Sequence, residues 1–355
     1  MSRRLPSELL VVLATAVLMG ACGSTQTPPT ARRSPSDGAR AVAGGDWQVA
    51  TILAPDDARF HAASQASGVI VGDQTTWTTT DGVAWRPAEP IETVNRYGIV
   101  PWSGRLVSWA EGGVVRTSPD GLAWTDATVQ PDESNPTAML PIPNRLLLFG
   151  ESTHDDTAGW RSVDGSTWSP IRGAPKGIQV AATRPDGSII AVGNVGANPA
   201  AWTSGDGATW APVAAPNADG AFVDWSGMSS GPAGVVAVGG FEGQPAAAWS
   251  TQDGTAWTAS ANAWGPDPVL QGVTAPGGTF VIAGRRNAHP TLWTSPDGRS
   301  WSGLDLPIAG STEGGASVVR QTPAGLVVFG YTTEDAGNGG DSATGYLVWT
   351  LKPAS

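Results

Sequence analysis

Ser118-Pro119-Asp120-Gly121-Leu122-Ala123-Trp124 is one of six copies of a single pattern: a small or hydroxyl residue, one spacer, Asp-Gly, two spacers and Trp. The other copies are centred on Asp81, Asp164, Asp206, Asp253 and Asp297, and successive Asp residues lie 39 to 47 residues apart. Asp-Gly is a favoured hairpin turn because Gly supplies positive φ. An Asp at such a turn can also accept hydrogen bonds from nearby backbone N–H groups. The Trp that follows is bulky enough to pack on a sheet and lock the hairpin. A period in the low forties, rich in turns and β-formers, suits the four-stranded blade of a β-propeller.

An apolar run precedes each turn. Examples are Leu146-Leu147-Leu148-Phe149-Gly150, Ile189-Ile190-Ala191-Val192-Gly193 and Phe280-Val281-Ile282-Ala283-Gly284. Such runs read as strands buried on both faces, and their β-branched content and flanking Gly favour strand over helix. There are seven runs, the last being Leu326-Val327-Val328-Phe329-Gly330. A third strand leads into the Asp-Gly turn and carries Trp four residues before the Asp, at Trp77, Trp160, Trp202, Trp249 and Trp293; Arg116 takes that place in the second repeat. The last repeat stops after its third strand, Tyr346-Leu347-Val348-Trp349-Thr350, and the missing fourth strand is expected near residues 46–52, around Trp47. Closure of this kind removes unpaired sheet edges. The expected fold is all-β: a seven-bladed β-propeller over residues 46–355, closed by an N-terminal strand.

The Asp-Gly-Trp repeat resembles the Asp-box (BNR-like) repeat of sialidases, sortilin-type receptors, xyloglucan-degrading enzymes and photosystem II assembly factor propellers. The likeness spans roughly residues 46–351, with one departure: the usual box has a residue between Asp and Gly, and here the two are adjacent in all six copies. The resemblance implies a structural role for the box, on the face away from the binding site. Six Asp residues spread around a ring also cannot converge on one ion, so no metal is expected there.

The N-terminus reads as a processing signal. Arg3 and Arg4 precede an apolar run from Leu9 to Met19, which is too short to span a bilayer of about 30 Å. Met19-Gly20-Ala21-Cys22 resembles the bacterial lipobox, which implies a lipid on Cys22, the chain's one cysteine. Residues 1–21 are then a lipoprotein signal peptide. Residues 22–45, rich in Ser, Thr, Pro, Ala and Gly, are a flexible tether. The alternative is an ordinary cleaved signal peptide with an incidental Cys. The expected location is the extracytoplasmic face of the cell membrane, with the lipid anchor as the membrane contact. Lysine is scarce, at Lys176 and Lys352 only, which points with the lipobox to a GC-rich bacterial genome. The net charge of −11 argues against nucleic acid as a partner, because phosphate contact needs a basic footprint.

Candidate binding residues fall in the variable loops, where propellers carry function. They are His154, Asp155 and Asp156 in the third repeat and Arg285 and Arg286 in the sixth. Trp225 and Trp264 lie off the repeat positions and are candidates for an exposed aromatic surface; the competing reading is extra blade packing. Three distant histidines make a His-based zinc site a poor prospect, and no cofactor is expected. A sialidase-like site cannot be assembled from the arginines and the three tyrosines, and no G-x-S-x-G elbow or Walker A is present. The favoured function is a non-enzymatic binding or assembly module for a protein, peptide or glycan. The alternative is an extracellular glycoside hydrolase, which needs two carboxylates at one channel mouth.

Overall fold

The computed structural model describes residues 47–52, 62–65, 68–71, 76–79, 84–87, 96–128, 134–152, 156–216, 222–241, 244–260, 264–308, 313–322, 325–333 and 344–351. The chain divides into two units, Met1–Arg32 and Arg33–Ser355, and every described residue belongs to the second. The expected signal peptide, Cys22 and the tether lie outside the described residues.

The described chain folds into four-stranded antiparallel sheets. Six of them are meanders of consecutive strands, within residues 62–87, 96–128, 134–170, 178–213, 224–259 and 269–305; they are termed blades 1 to 6. The remaining sheet is composite. Its inner three strands are Glu313–Thr322, Gly325–Thr333 and Thr344–Leu351, and its outer strand is Trp47–Ile52 from the other end of the chain. Val49 pairs with Trp349 in that register. The expectation of a seven-bladed ring is corrected accordingly. Counted as uninterrupted stretches of chain, the blades number six, not seven; the seventh four-stranded sheet is a closing sheet that no single stretch can form. No α-helix occurs among the described residues, and no described helix is long and apolar enough to cross a membrane.

The first strand of each sheet touches the first strands of the sheets on either side, and the circuit closes between 62–65 and 313–322. These first strands therefore line a central channel. The second strands are the core. Leu146 to Phe149, Val235 to Val238 and Phe280 to Ala283 are all buried, at 0–1% exposure. Side chains from both faces of these strands are enclosed, which is why the runs are apolar without alternation.

The Asp-Gly turns bind the ring together. In five described copies the hydroxyl before the Asp accepts the Gly backbone N–H, as from Gly165 to Ser162 at 2.8 Å. The Asp Oδ1 accepts two further backbone N–H groups, as from Ser166 and Thr167 to Asp164 at 2.8 and 2.7 Å. Asp81 lies outside the described residues. The Gly sits at φ between 72° and 81° in all five. Its missing side chain matters as much as its φ. A β-carbon on Gly207 would lie 2.7 Å from Leu147 Cδ1, and one on Gly298 would lie 2.6 Å from Val236 Cγ2, each on the preceding blade. Adjacent Asp and Gly thus let the turn close on itself and dock flush on its neighbour.

Candidate functional site

A β-bulge interrupts the first strand in blades 2 to 6 and in the closing sheet. The extra residue is Tyr97, Thr137, Gln179, Ser226, Gln271 or Ser317, polar in every case. The residue before the bulge faces the glycine that ends the apolar run in five of the six: Gly150, Gly193, Gly239, Gly284 and Gly330. A β-carbon on Gly193 would lie 1.8 Å from the Gly177 carbonyl oxygen, and one on Gly284 1.9 Å from that of Val269. These glycines admit the kinked strand. Bulges re-aim side chains, and here Thr137, Gln179, Ser226, Gln271 and Ser317 all line the channel.

The channel encloses a cavity of about 840 Å3. That size falls within the range of sites that hold a small molecule or a short peptide segment. Its described lining is neutral apart from one residue. Ala138, Met139, Val180, Met228, Val273 and Val318 supply apolar wall, the bulge residues supply hydroxyls and amides, and Arg320 supplies the charge. No Asp or Glu is among the described lining residues.

The polar wall is uneven. In blades 3 to 5 the bulge side chains tie one blade to the next. Thr137 donates to the Ile178 carbonyl at 2.6 Å and Ser226 to the Leu270 carbonyl at 2.7 Å. Gln179 Oε1 accepts the Trp225 backbone N–H and an Asn194 amide hydrogen, both at 3.3 Å. Gln271 and Ser317, on blade 6 and the closing sheet, make no such side-chain bonds among the described residues. Arg320 donates through Nη1 to the Val319 carbonyl at 2.8 Å and has no carboxylate partner among them. Burial among the first strands lowers its pKa from the usual arginine value.

The described residues among those singled out from sequence are not brought together. Trp225 and Trp264 are buried, at 5% and 4% exposure, which corrects the candidate exposed aromatic surface and bears out the competing reading of blade packing. Trp225 lies 5.1 Å from Trp249, ring to ring, and donates to the Gly193 carbonyl at 3.1 Å. Trp264 packs on Trp293 and Trp301 at 5.6 and 5.5 Å. Each packs on a third-strand Trp, Trp249 of blade 5 and Trp293 of blade 6, so burial of a large aromatic area wins over exposure. Asp156 is exposed and pairs with Lys176 at 2.8 Å; His154 and Asp155 lie outside the described residues. Arg286 makes a bidentate pair with Asp305 on the outermost strand of blade 6, at 2.8 and 3.0 Å, and that pair pulls Asp305 below the usual carboxylate range. Arg285 is half-buried beside it. The described residues hold no group of three or more His, Cys, Asp and Glu able to hold a metal.

The channel residues Gln271, Ser317 and Arg320 were not singled out from sequence. The first strands carry no continuous apolar run, and a bulge breaks the alternation that would show which side chains face inward. The available signal was the glycine closing each apolar run, whose tight contact marks the bulge opposite.

No protein-family model matches the chain, and no curated protein matches it. Among solved structures it is similar to virginiamycin B lyase from Staphylococcus aureus, with a TM-score of 0.64 and 11% identity over 86% of this chain and 99% of that one. A streptogramin B lyase is similar at a TM-score of 0.62 and 10% identity, over 86% and 98% of the two chains. YCF48 bound to D1 peptide is similar at a TM-score of 0.57 and 14% identity, over 86% and 97%. At these identities the likeness shows the β-propeller fold alone.

Proposed function

We propose that this chain is a binding or assembly module for a protein, peptide or glycan, held on the extracytoplasmic face of a cell membrane by a lipid on Cys22. The observation that carries the binding reading is the channel: a cavity of about 840 Å3 whose described lining mixes apolar wall with unpartnered amide and hydroxyl groups. Such a wall recognises a ligand by shape and hydrogen bonding. Hydrolysis of a glycoside needs a pair of carboxylates flanking the bond, and the described lining residues include none. The acids with lowered pKa are engaged elsewhere: Asp120, Asp164, Asp206, Asp253 and Asp297 in the Asp-Gly turns, Asp305 with Arg286, and Asp186 with Ser188. That a propeller neighbour is described with a peptide bound supports peptide among the ligand classes.

The lipid anchor rests on Met19-Gly20-Ala21-Cys22 and on the Pro- and Ser-rich stretch that follows. Two measurements test the whole reading. Intact mass of membrane-extracted protein should show a diacyl- or triacylglyceryl addition that a Cys22→Ala variant lacks; unmodified protein in the medium removes the anchor. Crosslinking in intact cells should then capture an envelope protein or glycan. Capture of none, together with turnover of glycoside substrates, would replace binding with catalysis.

A further inference from the structure

The channel lining carries one cation, Arg320, and no described lining residue balances it. Arg320 stands on the first strand of the closing sheet, two residues from the hairpin Thr322–Gly325. At the same rung of the register, blade 2 has Val100, blade 3 Leu140, blade 4 Ala182, blade 5 Ser229 and blade 6 Thr274. None of these can neutralise a guanidinium. The chain as a whole has a surplus of acid, at −11, yet no described acid lines the cavity. A guanidinium among packed strands without a counter-charge is costly. A protein that places one there gains if an anion arrives.

The neutral donors cluster on the same wall. Of the five bulge residues whose side chains are described, Gln271 and Ser317 are the two not spent on ties between blades. They are neighbours, since a β-carbon on Gly272 would lie 3.1 Å from the Ser317 carbonyl oxygen. Thr274 and Tyr331 line the cavity beside them. The guanidinium fork shares the channel with an amide and a hydroxyl, a neutral donor set that with a single positive charge suits a planar monoanion. Arginine takes carboxylates in that way, through paired hydrogen bonds.

From this we infer that the channel binds a carboxylate-bearing ligand, its carboxylate held by Arg320 with Gln271 and Ser317 as supporting donors. This deepens the binding reading above and names the chemistry the ligand must present. The carboxylate comes either from the C-terminus of a peptide or from a sugar acid, and the test separates the two.

The probe is fluorobenzoate, read by fluorine NMR with the purified full chain, against fluorobenzamide as its neutral counterpart. The native protein should broaden and shift the benzoate signal and leave the benzamide signal unchanged. Arg320→Gln should weaken benzoate binding about tenfold or more, as expected for a lost charge-assisted hydrogen bond. Equal binding of acid and amide, no binding of the acid, or full affinity in Arg320→Gln overturns the inference. If Arg320→Gln does not fold, the Gln271→Ala/Ser317→Ala double variant serves: weaker binding at an unchanged melting temperature supports the site, and unchanged binding overturns it. Displacement by trialanine with a free but not an amidated C-terminus assigns a peptide; displacement by glucuronate but not glucose assigns a sugar acid; displacement by neither overturns the ligand class. A cellular partner crosslinked equally by native and Arg320→Gln protein leaves the binding reading standing and removes the channel carboxylate.

Discussion

The Cα of Gly298 faces Val236 so closely that a β-carbon there would lie 2.6 Å from Val236 Cγ2. The contact joins the Asp-Gly turn of blade 6 to the core strand of blade 5. At φ 72° a side chain is also strained, whatever room it finds. Gly298→Ala should therefore destabilise the protein by about 1–3 kcal/mol. Urea denaturation followed by tryptophan fluorescence checks it. An unchanged midpoint would mean that the turn does not bear on the neighbouring blade.

Acid should weaken the ring in a defined window. Backbone N–H groups of Thr167 and Ser166 hold the Asp164 carboxyl down to about 2 from its ordinary 3.8. Those of Thr255 and Ala256 hold Asp253 at about 2 as well. A carboxylate with a depressed folded pKa adds stability that is complete above its unfolded value and disappears as pH falls through the folded one. The contribution of these turns should hold above about pH 4 and decline toward pH 2. Asp164→Asn keeps an acceptor oxygen but no charge, so its deficit against the native protein should be largest near neutrality and shrink as pH approaches 2. A deficit independent of pH would mean that the charge is not what binds the turn.

Trp264 distinguishes packing from recognition. It is 4% exposed and packed against two further tryptophans, edge-on to Trp293 and tilted on Trp301. Trp264→Ala should cost about 3–5 kcal/mol of stability, the range for a buried large aromatic. Ligand affinity per folded molecule should stay the same, because the ring does not reach the surface. Loss of affinity at native stability would restore it as a contact residue.

Removing residues 47–52 deletes the outer strand of the closing sheet and leaves 344–351 as an open edge. The truncated protein should melt at a lower temperature with a broader transition, and should self-associate through the exposed strand. Calorimetry and light scattering measure both. Native-like melting of a monomer would show that the strand is dispensable.

The sequence was most legible where one residue type does one job in every repeat. Asp164, Gly165 and Trp168 announce a turn, and Leu146 to Phe149 announce a strand enclosed on both faces. Trp47 was legible as the fourth strand missing after Trp349, because the ring needs each sheet completed. Trp225 and Trp264 admitted two readings, an exposed aromatic surface or extra blade packing, because an aromatic residue off the repeat positions can serve either; the structure packs both against a third-strand Trp. Gln271, Ser317 and Arg320 were missed for a different reason. Their strands, Val269-Leu270-Gln271-Gly272-Val273-Thr274 for the first and Glu313-Gly314-Gly315-Ala316-Ser317-Val318-Val319-Arg320 for the other two, have no strict alternation, and the inward side of a bulged strand cannot be counted off from its ends. Chemistry that depends on a single copy within a repeat is hidden by the very averaging that reveals the repeat.

The composite sheet also sets an order in time. Val49 meets Trp349 across an interval of 300 residues, whereas strands within blades 1 to 6 find their partners locally. Closing so long a span adds a loop-entropy cost that only completed packing repays. Blades 1 to 6 can each begin to pair as soon as their own strands have been synthesised, but the ring waits for its final strand to leave the ribosome. The slow step of folding is then the joining of the two ends.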